Sequence, residues 1–217
     1  YNGLPFVDRS VLEQVRAVRP RGGPPQERFT FYPGCADVPE SAGAAVNGRS
    51  FTVAAGVVLD AAEAEGVLYA HGGVAGGHSL YVKDGRLHYA FNWVGSKLQT
   101  VSSDTVLTPG PHVLSADFAM AGVSADPVMP GATGTLTLFV DDAEVGRAEV
   151  TTQPGAFCLV GDGISVGRDS ASPVSVDYAD RGTFAFTGGT IDKVVVDVSE
   201  QRYRDHEAEV RAWFAID

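Results

Sequence analysis

Five histidines and 27 Asp and Glu residues are the groups in these 217 residues that could do acid–base or metal chemistry. Their spacing argues against both. His71 and His78 flank the glycine-rich run GGVAGG, a spacing unlike a helical ligand pair. A histidine at a strand end beside a turn reads as a surface or hydrogen-bonded residue. His88, His112 and His206 have no carboxylate or thiol at ligand spacing. Asp141, Asp142, Asp169 and Asp177 invite calcium, which takes six to eight oxygens at about 2.3–2.6 Å. Asp141-Asp142 fits a hairpin turn better, because Asp bonds its own backbone there. No metal site is expected. HGGVAGG lacks the Lys-Ser/Thr ending and following helix of a phosphate cradle, so it reads as a tight turn or bulge. No Gly-x-Ser-x-Gly elbow occurs, and no two acids converge as a glycosidase requires. Cys35 and Cys158 lack zinc or redox spacing, which leaves a disulfide or burial as ordinary small residues, the second preferred. No catalytic residue is assigned.

Composition sets the frame that must carry such residues. With 26 Gly, 12 Pro and modest charge, the chain suits short strands and tight turns. A net charge of −11 excludes a nucleic-acid backbone as partner, since that affinity rests on Lys and Arg releasing counterions. Arg16, Arg19 and Arg21 stand among Pro20, Pro24 and Pro25 and read as part of an extended linker. No apolar run approaches the roughly 20 residues of a membrane helix. Tyr1 is not followed by a charged-then-apolar leader, so a soluble, processed or excised chain is expected, cytoplasmic or exported.

Along the chain, a short helical stretch, Ser10 to Val18, lies in a connecting arm over residues 1–26. The period then becomes two. Phe51, Val53, Ala55, Val57 and Leu59 share one strand face, with Thr52, Ala54, Gly56 and Val58 on the other. Asp84-Gly85 is a two-residue hairpin signal, because both positions need positive φ. Counting outward pairs Lys83 with Arg86, Val82 with Leu87, Tyr81 with His88 and Leu80 with Tyr89. Leu80, Val82, Leu87, Tyr89 and Phe91 then face inward, and Tyr81, Lys83, Arg86, His88 and Asn92 face outward. Further strands are expected at 111–118, 133–140, 145–150, 164–167 and 190–198, with a surface loop at 119–132. The spacing predicts an all-β fold, a two-sheet antiparallel jelly-roll sandwich of the concanavalin or lectin type over 27–199. A C-terminal helix over 200–217 should dock Tyr203, Val210, Trp213 and Phe214 on the domain or a partner.

Five segments, YNGLPFVDR at 1–9, FTFYPGCADVPE at 29–40, EGVLYAHGGVAGGHSLYVKDGRLHYAFNWVG at 65–95, TGTLTLFVDDAEVGRAEV at 133–150 and GISVGRDSASPVSVDY at 163–178, together resemble the C-terminal domain of bacterial arylsulfatases. The resemblance implies a sandwich that follows a sulfatase catalytic domain, with the 1–26 arm wrapping the junction. It implies a non-catalytic role in a sulfuric ester hydrolase, with that catalytic domain as partner. The family's formylglycine arises in a C/S-x-P-x-R motif, which neither Cys35-Ala36-Asp37-Val38 nor Cys158-Leu159-Val160-Gly161 matches. Formylglycine and calcium would therefore belong to the other domain, and none is expected here. The alternative is a module binding sulfated glycans. Its candidate contacts, equally candidates for an interdomain surface, are Tyr81, His88, Asn92, Arg168, Asp169 and Asp177, with Trp93 at the strand end.

Overall fold

Phe51, Val53, Ala55, Val57 and Leu59 share one buried face of β2 (Phe51–Leu59), while Val58 on the other face is exposed. A computed structural model describes residues 26–34, 36–125, 131–152, 163–170 and 172–199. The remaining strands are β1 (Arg28–Phe31), β3 (Gly66–Gly73), β4 (Gly76–Lys83), β5 (Arg86–Trp93), β6 (Lys97–Ser102), β7 (Gly110–Val123), β8 (Ala132–Val140), β9 (Ala143–Thr151), β10 (Ile164–Val166) and β11 (Gly189–Asp197). They form two antiparallel sheets. One has six strands in the order β1-β11-β2-β7-β8-β9, and the other five in the order β10-β3-β4-β5-β6. The chain is a two-sheet jelly-roll sandwich, as its periodicity predicts.

Between the sheets lies one apolar core. Leu80, Val82, Leu87, Tyr89 and Phe91 of the five-stranded sheet meet Val53, Leu114, Phe118, Leu136 and Val194 of the other. The Asp84-Gly85 turn has φ of 51° and 68°, and the β4–β5 register is the one counted from it. Asp141 likewise takes φ 56° in the β8–β9 turn, where its carboxylate accepts from the Val113 N–H at 2.9 Å and meets His112 Nδ1 at 3.0 Å. His112 thus has a carboxylate partner that sequence spacing did not reveal.

Two expectations are corrected. The predicted loop 119–132 is shorter than expected, since β7 runs to Val123 and β8 begins at Ala132. Ala119 pairs with Thr135 and Gly122 with Thr133, so the ladder continues past the first glycine of that stretch. His71 and His78 are not surface residues: both are buried on the inward face. The arm over 1–26 lies outside the described residues save for Gln26. The helix over 200–217 with His206, and Cys35 and Cys158, lie outside them too. Among the described residues no helix is long and apolar enough to cross a membrane.

One glycine is fixed by a close crossing. Gly66 has φ +126°, and a Cβ there would collide with the backbone of Ala185 and Phe186, where a later segment returns onto β3. Gly66→Ala is expected to cost about 1–3 kcal/mol, from overpacking and an unfavourable backbone region. A lowered denaturant midpoint with an unchanged m-value checks this.

Candidate functional site

Residues 167–187 leave β10 and cross the outer face of the five-stranded sheet as a strap. Backbone bonds pin both ends: Gly167 N donates to Leu68 O and Val67 N to Phe184 O, and Glu65 and Thr187 exchange a pair. Arg181 pairs with Glu65, and its guanidinium lies 4.9 Å from the Phe184 ring centre. Phe184 itself sits at φ +42°, a region a bulky side chain occupies only when its surroundings hold it there.

Beneath the strap is a second, smaller core. Val174, Tyr178 and Phe184 from the strap pack on Val67, Ala70, Tyr81 and Ala90 of the sheet. The Tyr178 hydroxyl lies 2.8 Å from Asp169 Oδ2 and 2.9 Å from Ser79 Oγ. Its single proton goes to the carboxylate, leaving Ser79 to donate to the phenol oxygen. Burial, and then the Asp169 charge, push the Tyr178 phenol up, so it stays a donor. Asp169 also accepts from the Val174 N–H at 2.8 Å.

The surface residues named from the sequence converge here, most of them as fixings. Tyr81 points to the outer face as its register requires, but the strap covers it completely. Burial, then the Asp177 carboxylate, hold its phenol protonated, and it donates to Asp177 Oδ2 at 2.5 Å. Asn92 is also buried, donating to the carbonyls of Gly73, Val74 and Val174 and accepting from Gly95 N–H. Arg168 Nη2 pairs with Asp37 at 2.9 Å, anchoring the strap to the segment after β1. Trp93 packs at the edge of the inter-sheet core and donates from Nε1 to Thr152 O at 3.2 Å. The expectation that Tyr81 and Asn92 meet sugar or another domain is thus corrected: they meet this chain's own strap.

His88 is different. Its ring stacks on Tyr81 at 5.1 Å and remains half-buried, beside exposed Thr100 and Ser102 and half-buried Leu98 on the uncovered part of the sheet. Its Nε2 lies 3.1 Å from the Lys83 carbonyl, which can only accept, so Nε2 carries the proton and Nδ1 accepts from Ser102 Oγ at 2.8 Å. Burial lowers its pKa, which keeps the ring neutral at neutral pH. Lys83 and Arg86 border this shelf at the hairpin end, and Asp177 and the exposed Val176 border it on the strap side.

A second cluster lies inside the sandwich. His71 and His78 are cross-strand partners with ring centres 5.4 Å apart, enclosed with Phe51, Tyr69, Tyr89 and Phe91. His78 Nδ1 is 2.8 Å from the Tyr89 hydroxyl. His78 Nε2 and both nitrogens of His71 have no hydrogen-bond partner among the described residues. Burial pulls His71 down to about 4 and His78 well below its usual value, the neighbouring His71 adding to the second shift. The signal for this pair was present in HGGVAGGH, a palindrome about Val74-Ala75 in which a two-residue turn sets the histidines opposite each other. No group of three or more His, Cys, Asp or Glu able to hold a metal ion occurs among the described residues, and Asp141 and Asp142 lie on the other sheet from Asp169 and Asp177.

No protein-family model matches the chain, and no curated protein sequence does. Solved structures do match. The CBM40 domain of the Ruminococcus gnavus IT-sialidase aligns with 85% of this chain and 96% of its own, at 14% identity and a TM-score of 0.51. The same domain bound to α2,3-sialyllactose gives 12% identity and a TM-score of 0.51. Domains LG4-5 of mouse laminin α1 align over 80% of this chain at 17% identity and a TM-score of 0.44, and this chain spans 40% of that one. At these identities the CBM40 match speaks to the fold alone.

Proposed function

We propose that this sandwich is a non-catalytic module that binds glycan on the open part of its five-stranded sheet, and that it serves an arylsulfatase-type catalytic domain. The observation that carries the binding role is the uncovered shelf beside the strap, where half-buried Leu98 and exposed Thr100 and Ser102 follow one another along one face of β6, with His88 opposite Ser102. It offers polar groups around a small apolar floor, the mixture that fixes a sugar's hydroxyls while covering its C–H faces. Support comes from a neighbour of the same architecture, the CBM40 domain described with α2,3- and α2,6-sialyllactose.

The sulfatase context rests on the sequence resemblance. Two of its segments, 65–95 and 163–178, lie far apart in the chain yet pack on each other through Tyr178 with Ser79 and Tyr81 with Asp177. In this reading the sulfate ester is cleaved on the neighbouring domain, with its own formylglycine and calcium, while the sandwich holds the glycan or shapes the entrance.

Calorimetry of the 217-residue chain against sialyllactose, sulfated disaccharides and lactose tests the binding role. Saturable binding with a negative heat-capacity change is expected. Silence across the panel removes the glycan reading. Separately, nitrophenyl sulfate turnover should be absent from this chain and present in the longer gene product, and hydrolysis by the chain alone would refute the non-catalytic role.

A further inference from the structure

Lys83 and Arg86 are direct cross-strand partners at the end of the β4–β5 hairpin, on the face that carries His88. Like charges set opposite each other destabilise a hairpin unless something neutralises them. Neither side chain is in an ion pair with a carboxylate among the described residues. Lys83 Nζ donates to the Asp177 carbonyl at 2.7 Å and Arg86 Nη1 to the Ser103 carbonyl at 3.0 Å, both neutral acceptors. By contrast Arg28, Arg147, Arg168 and Arg181 each pair with a carboxylate. Asp177 and Asp84 carry charge near the pair, but the Asp177 carboxylate accepts from the Tyr81 hydroxyl and Asp84 stands in the exposed turn, so neither closes an ion pair with it.

We propose that Lys83 and Arg86 form an anion subsite at the edge of the glycan shelf, taking the sulfate ester or carboxylate of an acidic sugar. The inference rests on the glycan reading above. One carbonyl bond leaves two of three donors free on the ammonium and four of five on the guanidinium. The planar fork suits two oxygens of a sulfate or carboxylate, and Lys83 adds a point charge from across the strand. The carbonyl bonds fix both heads without neutralising them. In a chain of net charge −11, two adjacent cations outside any ion pair form a place where an anionic ligand escapes the general repulsion.

The test is calorimetry with three probes, a sulfated disaccharide, 3′-sialyllactose and lactose, on the wild-type chain, the K83Q/R86Q double variant and R147Q as a remote cation control. The two acidic probes should bind at least about tenfold tighter than lactose, and that margin should shrink with added salt. K83Q/R86Q should erase the margin while lactose still binds, with a melting temperature that does not fall because relief of the like-charge pair offsets the altered carbonyl bonds, and R147Q should change nothing. Comparison of the two acidic probes identifies sulfate ester or carboxylate as the preferred group. Equal, salt-independent binding of all three probes, or acidic-probe affinity unchanged in K83Q/R86Q, overturns the anion subsite while the glycan reading survives. Failure of every probe on the wild type overturns both.

Discussion

Lowering the pH from 6.5 to 4 should remove about 3 kcal/mol of folding stability through His71 alone, with His78 adding to the loss in the same direction. Both imidazoles are buried with the neutral form favoured, so their folded pKa values lie below the unfolded value. Above pH 6.5 neither state takes up protons and the pair contributes nothing to the pH dependence. As the pH falls from there, the unfolded chain binds protons that the sandwich refuses, and stability drops until His71 titrates in the fold near 4. The groups around the pair offer no relief. Phe51, Tyr69, Tyr89 and Phe91 enclose it, and no carboxylate contributes to either shift.

Other titrating pairs act elsewhere or in the opposite sense. Asp141 and Asp197 are held below the usual carboxylate range by His112 and by Ser199 with Arg28, although burial opposes both, so their contribution is lost only at more acid pH. His112 is raised by its bond to Asp141, so its contribution is present below pH 6.5 and fades as the pH rises through its folded value. That pair is half-exposed and screened, so it offsets little of the loss. Denaturant midpoints measured between pH 8 and 4 check the expectation. His71→Leu should make the slope shallower, and H71L/H78F should leave between pH 6.5 and 4 only the residual slope of groups such as His88, whose pKa burial also lowers. A wild-type midpoint that is the same at pH 7 and pH 5 would refute the assignment.

How far the sequence exposes this arrangement depends on the range of the interaction. The β4–β5 register follows from Asp84-Gly85 because the turn is local and admits one pairing. The His71–His78 pair is equally local, but its turn residues are Val74 and Ala75, which carry no turn signature, so only the palindrome betrays it. The strap is a different case. Tyr81 and Asp177 are 96 residues apart, and nothing in GRDSASPVSVDY distinguishes a segment that lies on a sheet face from one that runs along its edge. Period-two alternation shows that Tyr81 leaves the inter-sheet core. It cannot show that a second core waits on the other side. Likewise Arg168, Asp169 and Asp177 read from the sequence as surface contacts, whereas two serve as ties within the fold and Asp177 joins a tie to a place on the shelf's rim.

Tyr178→Ala is therefore expected to cost about 3–5 kcal/mol, the range for deleting a fully buried aromatic ring. The ring is edge-on to Tyr81 at 5.1 Å and stacked with Phe184 at 5.3 Å, so its loss hollows the second core at its centre. Its hydroxyl also satisfies Asp169, whose carboxylate would be left with one fewer donor while still buried. The two contributions separate. Tyr178→Phe keeps the ring and should cost about 1.5–3 kcal/mol, the worth of a hydrogen bond to a charged acceptor. The damage should also be local, because Tyr178 touches only the outer core while the inter-sheet core rests on Leu80, Val82, Tyr89 and their partners. Amides bonded through the strap, such as Val67 N to Phe184 O and Phe186 N to Gly167 O, should exchange faster in Tyr178→Ala, while ladder amides between β2 and β7 stay protected at mild denaturant. Freeing the strap would uncover Tyr81 and Ala90 and widen the shelf, so glycan affinity should change in the same variant. If Tyr178→Ala unfolds within about 0.5 kcal/mol of the wild type, the ordinary range for a surface substitution, the strap is not the second core described here.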